Sequence, residues 1–174
     1  MATEVNWDEL RATLRLEMID GEPAGDDAAR RALELILGEE ILRESVDYYV
    51  ALRPARELVR SVLWLLRPWS AMIRCRELSQ RPNEIETRRR AVELLRAVAD
   101  GRALPWVSEF LDDEDAGIQA WGIGVLDQLL WSELVEPEEA EEVLERSARH
   151  ENGAVRDRVE FIRSYLRDRR ESRM

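Results

Sequence analysis

The sequence predicts an all-α protein, an α-solenoid of about five helix pairs, and three observations carry that expectation. Apolar residues recur three or four apart in one segment after another, the same eleven-residue frame keeps returning, and the strict alternation of a half-buried strand recurs nowhere. The frame is D-x-x-I-Q-x-x-G-x-x-V from Asp115 to Val125 and N-x-x-V-R-x-x-V-x-x-I from Asn152 to Ile162. It fits Asp26, Ala29, Arg30, Leu33 and Ile36, and again Glu84, Thr87, Arg88, Ala91 and Leu94. Arg56, Val59, Arg60, Leu63 and Leu66 make a fifth copy with Arg in the polar slot. The slots at 26, 56, 84, 115 and 152 are separated by 30, 28, 31 and 37 residues.

Each copy reads as a helix: a polar residue near the start meets open backbone amides, and the spaced apolar positions make one buried stripe. A second amphipathic stretch precedes each copy, so the elements follow in pairs. Trp7 to Ile19 comes first, followed by a loop from Asp20 to Asp27 marked by Gly21, Pro23 and Gly25. Glu39 to Leu52 and Trp69 to Gln80 open the second and third pairs. Asn83 and Glu86 resemble a capping box for the helix that closes the third. Leu104 to Leu111 and Pro137 to Arg149 open the last two, with an extended loop around Ser132 to Pro137. Gly38, Gly101 and Gly153 punctuate the joins, and Pro54, Pro105 and Pro137 fall where a first turn tolerates a missing N–H. The polar tail from Arg167 to Met174 should fray. These elements make one domain over 1–174, with repeats at roughly 6–37, 39–68, 69–99, 104–131 and 137–166.

Composition narrows the function. With 45% apolar and 36% charged residues, the chain has the balance of an ordered soluble protein. A net charge of −11 repels phosphate backbones and favours a partner with a basic surface. All 26 basic residues are Arg, which can make bidentate or stacked contacts that Lys cannot, although codon preference in a GC-rich genome is the plainer reading. Cys75 has no second cysteine to bridge and reads as a buried structural thiol. No signal peptide or membrane-spanning run is found, and a bacterial cytoplasm is the expected place.

The D-x-x-V-R-x-x-A-x-x-L frame at about thirty residues resembles the HEAT-like repeat of the phycobilin-lyase type, found in bacterial scaffold proteins, over about Asn6 to Leu166. The resemblance implies a superhelix whose second helices line the concave side. It implies capping by Asp26, Asp115 and Asn152, and an inter-repeat ladder through Arg30, Arg60, Arg88 and Arg156. Arg56 and Gln119 depart from the pattern.

No catalytic constellation emerges. His150 with Glu151 is a single His-Glu pair, short of the several that build the di-iron centre of HEAT-like hydroxylases, and reads as a helix-end residue. The G-x-G of Gly122 to Gly124 follows no strand; it reads as close packing beside Trp121 or Trp106, or as a floor for an approaching partner. No cofactor or metal is expected.

Binding is the stronger expectation. Eight residues past the slot stand Glu34, Trp64, Val92, Ile123 and Glu160, so the concave groove is expected to present Arg60, Trp64, Arg89, Val92, Arg96, Ile123 and Asp127. An alternative surface is the acidic run Glu138, Glu139, Glu141, Glu142 and Glu145, which is either a solvated helix face or a patch for a basic partner. The resulting expectation is a non-catalytic adaptor, of immunity or inhibitor type. A bilin-lyase-like enzyme helper and a HEAT-like nucleic-acid binder are the rivals.

Overall fold

The computed structural model describes residues 5–14 and 25–172, with side chains from residue 28 onward in the second stretch. Among these residues the chain forms ten α-helices, one 3-10 helix and no strand, so the protein is all-α. None of these helices is long and apolar enough to cross a membrane. The chain divides into two compact units, Met1–Arg74 and Cys75–Met174.

In the first unit, α1 (Trp7–Leu14) packs on α2 (Gly25–Leu37), α2 on α3 (Glu39–Val50), and α4 (Arg56–Leu66) on both α2 and α3. Gly38 alone joins α2 to α3, and its φ of 81° is a left-handed conformation that side-chain-bearing residues avoid. Leu42, Val46, Tyr49 and Val50 give α3 a buried stripe at helical spacing, and Leu63 and Leu66 do the same for α4. Arg67, left-handed at φ 47°, ends α4 by donating its N–H to the Leu63 carbonyl at 2.7 Å. The start of α5 (Trp69–Ser79) buries Ala71 and Met72. It is tied down by a two-pronged Arg74–Asp47 pair, both bonds 3.0 Å, and by Ser70, whose N–H and hydroxyl both donate to Glu34 at 3.2 Å.

The second unit is organised around α8 (Ala116–Trp131), which packs against α6 (Ile85–Val98), α7 (Val107–Leu111), α9 (Pro137–Ser147) and α10 (Gly153–Ser172). Its own residues explain the central position: Ile118, Ile123, Val125, Leu126, Leu129 and Leu130 are all buried. Asp115 caps it, accepting the Ile118 N–H at 3.0 Å, and Asn152, just before α10, accepts the Ala154 N–H at 3.0 Å. Cys75 is buried, as expected.

Several expectations need correction. The first helix is described only to Leu14, and positions 15–24, with most of the expected Asp20–Asp27 loop, lie outside the described residues; Gly25 already opens α2. The side chain of Asp26 also lies outside them. Asn83 does not cap α6, because it turns left-handed at φ 63° and the cap position falls to Glu84; Glu86 pairs instead with Arg89 and Arg90. The helix expected from Leu104 begins as a 3-10 turn, Gly101–Trp106, containing Pro105, before α7 follows. The tail does not fray as far as it is described. Helix α10 runs to Ser172, because Arg169 stacks on Tyr165, donates to the Leu130 and Trp131 carbonyls at 3.3 and 3.2 Å, and pairs with Glu133.

Candidate functional site

The groove residues separate into surface and core. In the first unit, Arg60 and Trp64 lie on the outward side of α4, where Arg60 pairs with Glu57 at 3.0 Å. Helix α4 is apolar on two sides. Val59, Leu63 and Leu66 follow one line into the unit, while Leu58, Val62 and Leu65 follow another and remain 66%, 44% and 58% exposed, with Trp64 at 50%. A helix apolar all round is normally covered on all sides, so this second stripe is conspicuous. The neighbouring α2 adds exposed Leu33, Leu35 and Ile36. Glu39, Glu40, Arg43, Glu44 and Asp47 of α3 surround a shallow hollow with Arg74 of α5.

In the second unit, Val92 and Ile123 are not groove residues. Both are completely buried and belong to the core between helices. Counting from the slot does not mark the same face in every helix. Asp115 is the true cap of α8, and both Ile123, eight residues on, and Gly124, nine on, are buried. In α4 the cap is Ala55 and not Arg56, so Trp64 stands nine past it and faces out. In α10 both Glu160, eight past Asn152, and Phe161, nine past it, are exposed. One residue is a turn of about 100° about a helix axis, enough to move a side chain from surface to core.

The outward row of α8 is Gly117, Trp121, Gly124, Gln128 and Trp131, at the spacing of a single helical stripe, with Gly124 itself buried. Arginines from α6 lie across its glycines. A methyl group on Gly117 would stand 3.0 Å from Arg89 Nε, and one on Gly124 would stand 3.1 Å from Arg96 Cδ. Arg89 holds Asp115 with bonds of 2.9 and 2.7 Å and also reaches Glu86. That grip, with the Ile118 and Gly117 amides, brings the Asp115 carboxyl down to about 2 against the cost of its burial. Arg96 instead stacks on Trp121, 5.7 Å from the ring centre.

Asp127 is nearly enclosed. Its Oδ2 pairs with Arg158 at 3.0 Å, its Oδ1 is buried without a hydrogen-bond partner, and its main-chain carbonyl accepts the Tyr165 hydroxyl at 3.3 Å. Burial pushes its carboxyl up, opposed by Arg158 and more weakly by Arg96. Burial and the neighbouring Asp127 likewise push the Tyr165 hydroxyl up. Arg158 stacks on Phe161, and Tyr165 meets both Phe161 and Trp131 edge-on. Trp121 beside Arg96 and Arg158 beside Asp127, with Trp131 and Phe161 on Tyr165, are residues that the slot count skipped.

The acidic run divides by role. Glu139 accepts the Glu136 N–H at 3.0 Å and so serves the start of α9, and Glu138 faces Arg170. Glu141, Glu142 and Glu145 are exposed and make no ion pair among the described residues. Of Arg60, Arg88 and Arg156, it is Arg88 that reaches beyond its own helix, donating to the Ser79 carbonyl and pairing with Asp113 ahead of α8. Arg60 turns to its own helix and Arg156 to the carbonyls of His150 and Glu151, because those acceptors lie closer. His150 is a strut: Nδ1 accepts the Asn152 N–H, so Nε2 donates to the Leu111 carbonyl at 3.0 Å. Among the described residues no three of His, Cys, Asp and Glu converge as metal ligands.

A scan of the chain against protein-family models finds no match, and searches of curated proteins and of solved structures find none either.

Proposed function

We propose that this chain is a non-catalytic protein-binding module built on HEAT-like helix pairs, and that it docks a partner with a basic surface on the outward side of α4. One observation carries the reading: Leu58, Val62 and Leu65, spaced as a single helical stripe, stand open to solvent with Trp64 and Arg60 beside them. Helix-in-groove partners read this spacing, and Trp and Arg are the residue types that most often anchor such contacts. Helix α3, packed on α4, carries Glu39, Glu40, Glu44 and Asp47 against Arg43 alone, an acidic balance that suits a basic partner. At longer range the net charge of −11 steers such a partner in.

The test is a double variant, Trp64→Ala with Leu65→Glu, used beside the native chain to capture a partner from the cell of origin. Both side chains are exposed, so the melting temperature should hold, whereas binding should weaken by about thirtyfold or more if an aromatic anchor is lost. Undiminished capture by a folded variant would reject α4 and direct attention to Glu141, Glu142 and Glu145.

A further inference from the structure

Arg96 stands apart from the other arginines of its unit. Among the described residues, each of the other half-buried arginines there has a carboxylate: Arg76 takes Glu109, Arg81 Glu84, Arg88 Asp113, Arg89 Asp115, Arg90 Glu86, Arg158 Asp127 and Arg169 Glu133. Arg96 is equally half-buried yet forms no ion pair; Asp127 acts on it only through its field. Its position is nevertheless fixed. The stem lies in the space left by the missing side chain of Gly124, and the guanidinium lies over Trp121. A glycine inside a helix is unfavourable, so this bed comes at a cost to α8.

We propose that Arg96, held on Trp121 and Gly124, is a receptor for a carboxylate carried by a protein segment that lies along the outward row of α8, where exposed Trp131 and Phe161 supply further apolar surface. A planar guanidinium already stacked on an aromatic has lost most of its rotational freedom before binding, and its fork matches the two oxygens of a carboxylate. This site is separate from the α4 stripe and stands or falls without it.

The probe is a pair of blocked tripeptides, Ac-Ala-Glu-Ala-NH2 and its Gln counterpart, titrated into the full-length chain while the arginine Nε–Hε and tryptophan indole N–H signals are followed by NMR. The Arg96 and Trp121 signals should move saturably with the Glu peptide, and the Gln peptide should bind about tenfold more weakly, the difference a charge-assisted fork makes. Arg96→Gln should abolish the Trp121 response, and Arg96→Lys should restore it only in part. Gly124→Ala keeps the fold, because only the flexible arginine stem is in its way, yet it should weaken binding by displacing that stem. Sodium acetate separates a free carboxylate from a peptide-borne one, and inorganic phosphate tests the competing anion. Equal binding of the Glu and Gln peptides, a response centred on another arginine, or preference for acetate or phosphate would each overturn the assignment.

Discussion

Gly122 and Gly124 sit two residues apart in α8, and the space beside each decides what a methyl group there would do. A methyl on Gly122 would lie 2.5 Å from the Phe110 Cβ, which is anchored to the backbone of α7 and cannot withdraw. The gain of about 1 kcal/mol in helix propensity from Gly122→Ala is therefore outweighed by overpacking of about 1–3 kcal/mol, and the melting temperature should fall. Gly124→Ala meets only the Arg96 stem and should hold or raise it; equal melting temperatures for the two variants would contradict this account. The sequence showed that these glycines need compensation but not what supplies it, since Phe110 is twelve positions away and its proximity is a product of packing. Asp127 leads to a prediction with a definite sign. Burial holds its folded carboxyl above the ordinary 3.8, so the folded chain takes up this proton more readily than the unfolded one. The cost of the buried anion is in full force above the folded value and is relieved as pH falls through it toward 3.8. Measured against Asp127→Asn, the native chain should gain relative stability on acidification over that range. A difference in melting temperature that is flat, or that moves the other way, would mean that the Arg158 pair outweighs burial.

At the scale of helices, periodicity carried most of the information, and it failed where a polar face hides a contact. The stripes of α3, α6, α8 and α9 were legible because apolar residues three or four apart have no other economical arrangement. The last turn of α10 was not legible: Arg167, Asp168, Arg169 and Arg170 look like a solvated tail. Only the folded chain shows Arg169 on the carbonyls that close α8, where a cation also meets the negative end of the helix dipole. Removing residues 167–174 should thus cost about 1 kcal/mol, seen as a melting temperature lower by a few degrees. An unchanged melt would return the tail to a passive role. The candidate site was lost to a smaller error. Taking Arg56 for the cap of α4 placed Trp64 in a row with Val92 and Ile123, although in α8 that row points into the core.

Across the chain, the two units differ in how much of their apolar surface they enclose. Of the large side chains that are fully buried, Leu42, Leu63 and Met72 belong to the first unit and nine, from Leu78 to Leu130, to the second. Among the described residues, the exposed large apolar side chains are distributed the other way, with only Ile85, Trp131 and Phe161 in the second unit. The second unit therefore holds the deeper core, and α8 is its centre. Helix α10 covers α8 with Val155, Val159 and Ile162, all buried, and adds the Arg158–Asp127 pair and the Tyr165 hydroxyl bond. Burying an aliphatic side chain of this size contributes about 1.5–3 kcal/mol. Three of them, with Leu144 of α9, amount to a large share of the roughly 5–15 kcal/mol by which a domain is stable. A chain ending at Glu136 would leave Leu126 and Leu129 without their cover and Asp127 without Arg158. We expect it to lose helical circular dichroism beyond the residues removed and to aggregate on warming. A monomeric fragment that melts as the full chain does would show that α9 and α10 add nothing to the stack, and the central role given to α8 would have to be withdrawn.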